Sequence, residues 1–279
     1  MTEPFLPFHA LVSAPGSTPS RWMLVLHGIL GSGGNFRTFA RRVAAAHPDW
    51  GMVLVDLRAH GQSLDAPPPH TISAAAEDLV RLGSSLGLEV RGVMGHSFGG
   101  KVALAYAEKR RGELDEVWVL DASPGTRRDG MASEGAPRVI AVLDTLPETF
   151  PSRERFMELL RERGLSRQIT DWLAMNVRRA DDGFRFRLDL GVIKELLADY
   201  FALDLFPILE DPGLARRVHF VLGGRSDTVS ASDRAHLVAL CAQGPLDMSV
   251  DVLDEAGHWL HADDPEGLFA VVSAALSKG

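Results

Sequence analysis

Short apolar runs punctuate the chain at Trp22–Leu26, Met52–Val55, Val90–Met94, Val117–Leu120, Val218–Leu222 and Met248–Leu253. Each is rich in Val, Leu or Met and is bounded by Gly, Asp or Pro. Runs of this length and kind predict strands buried on both faces of a sheet. Phe5–Val12 predicts a further strand at the sheet edge. Amphipathic stretches lie between the runs and predict helices over Asn35–Ala46, Ser73–Leu86, Gly100–Arg110, Ser232–Cys241 and Pro265–Leu276. In Ser73–Leu86 the residues Ala76, Leu79, Val80 and Leu82 recur at helical spacing. Ser73 is the expected N-cap, with Glu77 and Asp78 in the first turn. Strand and helix in regular alternation predict an α/β fold, a mostly parallel, doubly wound sheet with helices on both faces.

One region breaks the alternation. Between Asp121 and Arg217 no buried strand is expected, and the pattern predicts helices at Ser152–Arg163, Ser166–Asn176 and Gly191–Phe201. From Pro124 to Ala215 there are 13 Lys and Arg against 16 Asp and Glu, so the surface of this segment is dense in both signs of charge. The expectation is one α/β core made of residues 1–123 and 216–279, interrupted by a helical cap, or lid, at 124–215. A solvated helical excursion would carry the same pattern. An insertion at the carboxyl ends of the strands is also where a substrate crevice is walled.

Composition narrows the function. Of the 279 residues 46% are hydrophobic, too many for a disordered chain. With 29 basic and 37 acidic residues the net charge is −8, and there is no basic surplus to neutralise nucleic-acid phosphates. No run approaches the 18 or so apolar residues of a membrane span. The start, Met1 to Ala10, lacks the pattern of a signal peptide. The single Cys241 fits a reducing compartment, and a cytoplasmic location is expected. The pattern leaves the oligomeric state open.

The strongest chemical signal is Gly95-His96-Ser97-Phe98-Gly99-Gly100, directly after an apolar run and directly before a helix. This is the strand–turn–helix setting of the G-x-S-x-G nucleophile elbow. A sharp turn exposes the serine oxygen, and small neighbours let strand and helix approach. A serine hydroxyl needs a base. Of the ten histidines, His258 stands in a loop between the last strand and the last helix, in the chain order nucleophile, acid, histidine. His261 lies nearer the helix and reads as structural. His9, His47, His70, His219 and His236 have no motif around them.

The acid that orients the imidazole has two candidates, Asp121 after Val117–Leu120 and Asp227 in Gly223-Gly224-Arg225-Ser226-Asp227. Both follow strands, and the residues themselves do not choose between them. Two N–H donors are expected to hold an oxyanion: that of Phe98, after the nucleophile, and that of Ile29, in the loop His27-Gly28-Ile29-Leu30-Gly31-Ser32-Gly33-Gly34. His27 reads as a hydrogen-bonding residue of that loop. The loop lacks G-x-G-x-x-G and G-x-x-x-x-G-K-[ST], so nucleotide phosphates are not expected there. In Asp56-Leu57-Arg58-Ala59-His60-Gly61 the Asp precedes the serine, and the segment reads as a loop held by bonds from Arg58 to carbonyls and a carboxylate. No H-x-x-x-H or H-E-x-x-H spacing supports a metal, and neither metal nor cofactor is expected.

Four stretches together resemble the α/β-hydrolase family, and within it small bacterial esterases of the YbfF type and their mitochondrial abhydrolase-domain relatives. They are His27-Gly28-Ile29-Leu30-Gly31-Ser32 with Asn35-Phe36, Asp56-Leu57-Arg58-Ala59-His60-Gly61-Gln62-Ser63, Gly95-His96-Ser97-Phe98-Gly99-Gly100-Lys101, and Gly257-His258-Trp259-Leu260-His261-Ala262-Asp263. The resemblance implies an α/β-hydrolase fold with a helical cap and a small-molecule ester or thioester as substrate. It also implies that the acid is the Asp in a motif like Leu120-Asp121-Ala122-Ser123-Pro124. The sequence departs from that branch by also having Asp227, in the loop where most other α/β-hydrolases keep their acid. A Ser at the elbow sets the chain apart from dehalogenases and epoxide hydrolases, which use Asp. Two other readings share these residues: a carbon–carbon bond hydrolase with the same Ser, His and Asp, and a non-catalytic binding protein that keeps the fold.

Overall fold

The computed structural model describes residues 4–127 and 135–278. Residues 1–3, 128–134 and 279 fall inside the ranges expected for core and cap and lie outside the described residues. The main sheet has seven strands: β1 (His9–Val12), β2 (Arg21–Leu26), β3 (Trp50–Val55), β4 (Val90–His96), β5 (Glu116–Leu120), β8 (Arg217–Gly223) and β9 (Met248–Leu253), in the order β1-β3-β2-β4-β5-β8-β9. All neighbours are parallel except β1, which pairs antiparallel with β3 at the edge. The edge strand is shorter than the sequence pattern suggests. Pro4 and Pro7 have no N–H for a ladder, and pairing begins at His9.

Alternation along each strand sends side chains to two cores. In β2, Trp22, Leu24 and Leu26 enter one cluster, whereas Met23 and Val25 enter the other. The second cluster is closed by α1 (Arg37–Ala46) and α10 (Pro265–Leu276) through Phe39, Val43, Leu268 and Val272. The first is closed by α2 (Ile72–Leu86) and α3 (Phe98–Lys109) through Leu79, Leu82 and Val102. The helix boundaries shift slightly from the expected ones. Thr71, not Ser73, caps α2: it is extended, and its side chain accepts the Ala74 N–H at 3.1 Å. Helix α3 starts at Phe98, straight after the elbow.

Between β5 and β8 the described residues add no strand to this sheet. It forms α4 (Ala136–Leu143), α5 (Arg153–Glu162), α6 (Arg167–Leu173), a hairpin of β6 (Val177–Ala180) and β7 (Gly183–Phe186), and α7 (Leu190–Ala202). The sequence pattern points to helices here and to no buried strand, and this short, mostly unburied hairpin lies outside what it indicates. Its strands are four residues long, and Arg178, Arg179 and Arg185 mask any apolar alternation. Such a pair is marginal by itself. It is held by Phe150 and Phe184, which exchange two backbone hydrogen bonds of 2.8 Å. Residues of this segment, among them Phe156, Ile193 and Leu196, belong to the same cluster as the α2–α3 face of the sheet. After β8 come α8 (Ala231–Gln243), β9, the short α9 (Leu260–Asp263) and α10. Among the described residues no helix is long and apolar enough to cross a membrane.

Because β3 and β4 flank β2 on opposite sides, the chain reverses its direction of winding there, and the loops after β2 and β4 border the crevice this creates. The loop after β3 supports that crevice. Asp56 accepts the Gly33 and Gln62 N–H groups, each at 2.8 Å. Arg58 pairs with Asp78 of α2, not with Asp56, through Nε at 2.8 Å and a second nitrogen at 3.1 Å, and it also donates to the Pro67 and Pro69 carbonyls. Both partners of the pair are almost fully buried. Arg58→Met should therefore leave the Asp78 charge buried with only the half-exposed Arg81 beside it. We expect a loss of roughly 3 kcal/mol or more in denaturant unfolding. A variant as stable as the parent would show that the pair does not hold this loop.

Candidate active site

Ser97 sits at the tip of the β4–α3 turn with φ 54° and ψ −116°, a strained backbone for a residue with a side chain. The turn closes only because its neighbours are glycine. A Cβ on Gly95 would lie 1.9 Å from the Gly99 carbonyl oxygen, and one on Gly99 would lie 2.6 Å from that of His27. The elbow thus brings the end of β2 against the start of α3.

His258, in the loop after β9, places Nε2 3.0 Å from Ser97 Oγ and Nδ1 2.7 Å from Asp121 Oδ2. Asp121 follows β5 directly, with φ 46°, and has no exposed surface. Its other oxygen accepts the Gly223 N–H at 2.9 Å, and Ser226 donates its hydroxyl to Oδ2. Thr228 Oγ1 lies 3.0 Å from His258 Nδ1. An imidazole that donates from Nδ1 to a carboxylate presents a lone pair at Nε2 to the serine proton. Asp227 is exposed, and among the described residues the side-chain partners of His258 Nδ1 are Asp121 and Thr228, not Asp227. Its two hydroxyl neighbours enter the site instead, Ser226 at the Asp121 carboxylate and Thr228 at the imidazole, a feature that sequence reasoning missed although both flank the rival Asp.

His96 was also unmarked in the sequence. Its Nε2 donates to the His258 carbonyl at 2.7 Å and holds that loop in place. Burial, and then the neighbouring His258, push the His96 pKa well below its ordinary value. His261 packs on Phe36 with ring centres 4.3 Å apart, and burial lowers it to about 4.

The loop after β2 is organised by two neutral histidines. His27 Nε2 accepts the Leu57 N–H at 3.0 Å, while Nδ1 donates to the Gly28 carbonyl at 2.8 Å. His60 Nε2 accepts the Leu30 N–H at 3.0 Å, while Nδ1 donates to the Arg58 carbonyl at 2.9 Å. Each ring must accept on one side and donate on the other, so neither can be an imidazolium. Burial lowers His27 to about 4 and, joined by repulsion from His27, His60 to about 3.

The Gly28 carbonyl also accepts the Gly31 N–H at 3.0 Å. A trans peptide points its C=O and N–H in opposite directions, so these bonds fix the direction of the Ile29 N–H. Among the described residues, neither the Ile29 nor the Phe98 N–H has a hydrogen-bond acceptor. The loop abuts the serine: a Cβ on Gly28 would lie 3.4 Å from Ser97 Cβ.

A cavity of about 670 Å³ opens over Ser97 and His258. Its walls come from both parts of the chain: Ile29, Leu30 and Trp259 from the loops of the sheet, and Val139, Ile169 and Trp172 from α4 and α6. Trp172 and Trp259, both on its wall, pack against each other with ring centres 5.6 Å apart and planes tilted by 52°. Among the described residues no group of three or more His, Cys, Asp or Glu is arranged to hold a metal.

Residues 23–271 match the alpha/beta hydrolase family. Over 261 residues the chain is 27% identical to the sn-1-specific diacylglycerol lipase ABHD11 of Mus musculus, an alignment that covers 91% of this chain and 80% of that protein. It is 25% identical to esterase YbfF of Escherichia coli over 255 residues, 91% of this chain and 92% of that one. Among solved structures, a marine microorganism esterase superposes with a TM-score of 0.78 at 23% identity, over 96% of this chain and 98% of that chain, a likeness of fold.

The neutral histidines predict a pH dependence of stability. In the unfolded chain these imidazoles titrate near 6.5, whereas folded His27 and His60 stay neutral down to about 4 and about 3. The unfolded state therefore binds more protons below pH 6.5, and stability falls as the pH drops from about 6.5 towards 4. Denaturation midpoints should decline between pH 7 and 5, less steeply in His60→Gln. A midpoint that stays level over that range, or an equal slope in the variant, would contradict this.

Proposed function

The chain belongs to the α/β-hydrolase family, and on that premise we propose that it is a serine hydrolase that cleaves carboxylic ester or thioester bonds through an acyl-enzyme on Ser97. The hydrogen-bonded line from Ser97 Oγ through His258 to the buried Asp121 carboxylate carries this reading. That relatives include an esterase and a diacylglycerol lipase supports ester chemistry.

In this mechanism His258 Nε2 takes the Ser97 proton as Oγ bonds to the substrate carbonyl carbon. The carbonyl oxygen becomes an oxyanion, received by the Ile29 and Phe98 N–H groups and favoured by the N-terminus of α3. Asp121 stabilises the imidazolium without taking its proton. The tetrahedral intermediate collapses, and the departing alcohol or thiol leaves with the proton from His258. Water then attacks the acyl carbon with His258 as base, and the acid and free Ser97 are released.

Residues 124–215 form the lid in this reading. They give the cavity Val139, Ile169 and Trp172, an apolar wall suited to an acyl group. Lys101 in α3 pins the lid to the elbow helix. Its buried ammonium donates to the Gly125, Tyr200 and Leu203 carbonyls at 2.6–2.8 Å, and burial lowers its pKa to about 8.

A fluorophosphonate probe should label the protein, and Ser97→Ala should abolish both labelling and p-nitrophenyl ester turnover. Labelling retained in Ser97→Ala would place the nucleophile elsewhere. Faster turnover of a carbon–carbon ring-fission substrate than of any ester would favour carbon–carbon cleavage. Asp121→Asn should lower kcat by about 10⁴, with Asp227→Asn close to the parent. The reverse order would move the acid to Asp227.

A further inference from the structure

The segment between β5 and β8 reaches the site at a second point besides the cavity wall. After α6 the chain makes a short 3-10 turn, Ala174–Asn176, before entering β6. Asn176 is only 7% exposed. Its Nδ2 donates to the Leu30 carbonyl at 2.7 Å, across 146 residues of sequence. A carbonyl oxygen can only accept, so the amide must present its NH₂ side there.

Leu30 follows Ile29 directly and has φ 63°, a left-handed conformation that a branched side chain disfavours. Its N–H is held by His60 and its carbonyl by Asn176. One polar group of this strained residue is therefore fixed by the loop after β3 and the other by the segment between β5 and β8. The turn that carries Asn176 is itself fastened. Arg153 Nε donates to the Ala174 carbonyl at 2.8 Å, and the Arg187 N–H donates to the Asn176 carbonyl at 3.1 Å. The preceding helix bears Ile169 and Trp172 on the cavity wall.

We propose that Asn176 is a positioning residue for acyl transfer: by holding the Leu30 carbonyl it keeps the strained loop after β2 in the shape that aims the Ile29 N–H at the oxyanion, and it couples that donor to the acyl-binding wall on α6. The proposal rests on the reading of Ser97 as nucleophile and the Ile29 N–H as oxyanion donor. An interaction felt at the oxyanion acts on the transition state more than on the bound ester. Its loss is therefore read in kcat, not in KM.

The test uses Asn176→Ala and the isosteric Asn176→Asp, whose carboxylate cannot donate to Leu30 and repels it. Active sites are titrated with a fluorophosphonate, so that kcat refers to folded, reactive Ser97 alone. Displacing an oxyanion donor by a fraction of an ångström should lower kcat by about ten- to a hundred-fold, with KM for a p-nitrophenyl ester changed by less than about three-fold. Inhibition by phenylboronic acid, whose tetrahedral adduct on Ser97 puts an oxygen at the oxyanion position, should weaken in parallel with kcat. An unchanged kcat per titrated site in either variant overturns the proposal while leaving the hydrolase reading intact. So does a rise in KM alone. A parent protein that neither labels nor turns over an ester overturns the hydrolase reading, and this proposal with it.

Discussion

A carboxylate with no exposed surface is the constraint around which this end of the molecule is assembled. An unpaired charge at the position of Asp121 would cost several kcal/mol, and it is tolerated only where donors surround it. Those donors come from three places in the chain: the Gly223 N–H at the end of β8, the Ser226 hydroxyl three residues on, and the His258 ring after β9. Satisfying one side chain therefore fixes the relative register of β5, β8 and the loop after β9. The imidazole is oriented as a result of that packing. The serine at the end of β4 meets it because β4 and β5 are neighbours in the sheet.

A second constraint works through charge avoided. His27 and His60 are buried as neutral rings, each spanning an N–H and a carbonyl. A neutral imidazole can bridge a donor and an acceptor, which neither a lysine nor a carboxylate can do. Together they join the loops after β2 and β3 without placing a charge beside Ser97. The Arg58–Asp78 pair anchors the loop after β3 to α2 and uses the opposite strategy, two buried charges that cancel.

The sheet and the elbow were legible in the sequence because their signals are local. A buried parallel strand is a run of Val and Leu, and the elbow is five adjacent residues whose glycines answer steric demands within the turn. Which Asp would meet the imidazole was not legible from the residues alone. Strands β5 and β8 are adjacent, so loops after both arrive at the same imidazole, and each carries an Asp. What separates them is that Asp121 takes a left-handed backbone that turns its side chain inward, whereas Asp227 stays exposed. The β6–β7 hairpin was missed because its outward arginines erase the alternation. Asn176 was missed because nothing near it in the sequence announces a partner 146 residues away.

The apolar side chains of α5 and α7 belong to the cluster that also covers one face of the main sheet. Detaching that segment would expose a continuous apolar surface, so it does not behave as an appended module. Its described helices are therefore expected to unfold together with the sheet rather than before it. For the history of such a protein this has a consequence. Under the proposed function, new acyl preferences would be reached by single replacements on the cavity-facing sides of α4 and α6. Exchange of the whole segment for a foreign one would strip the scaffold of part of its own interior.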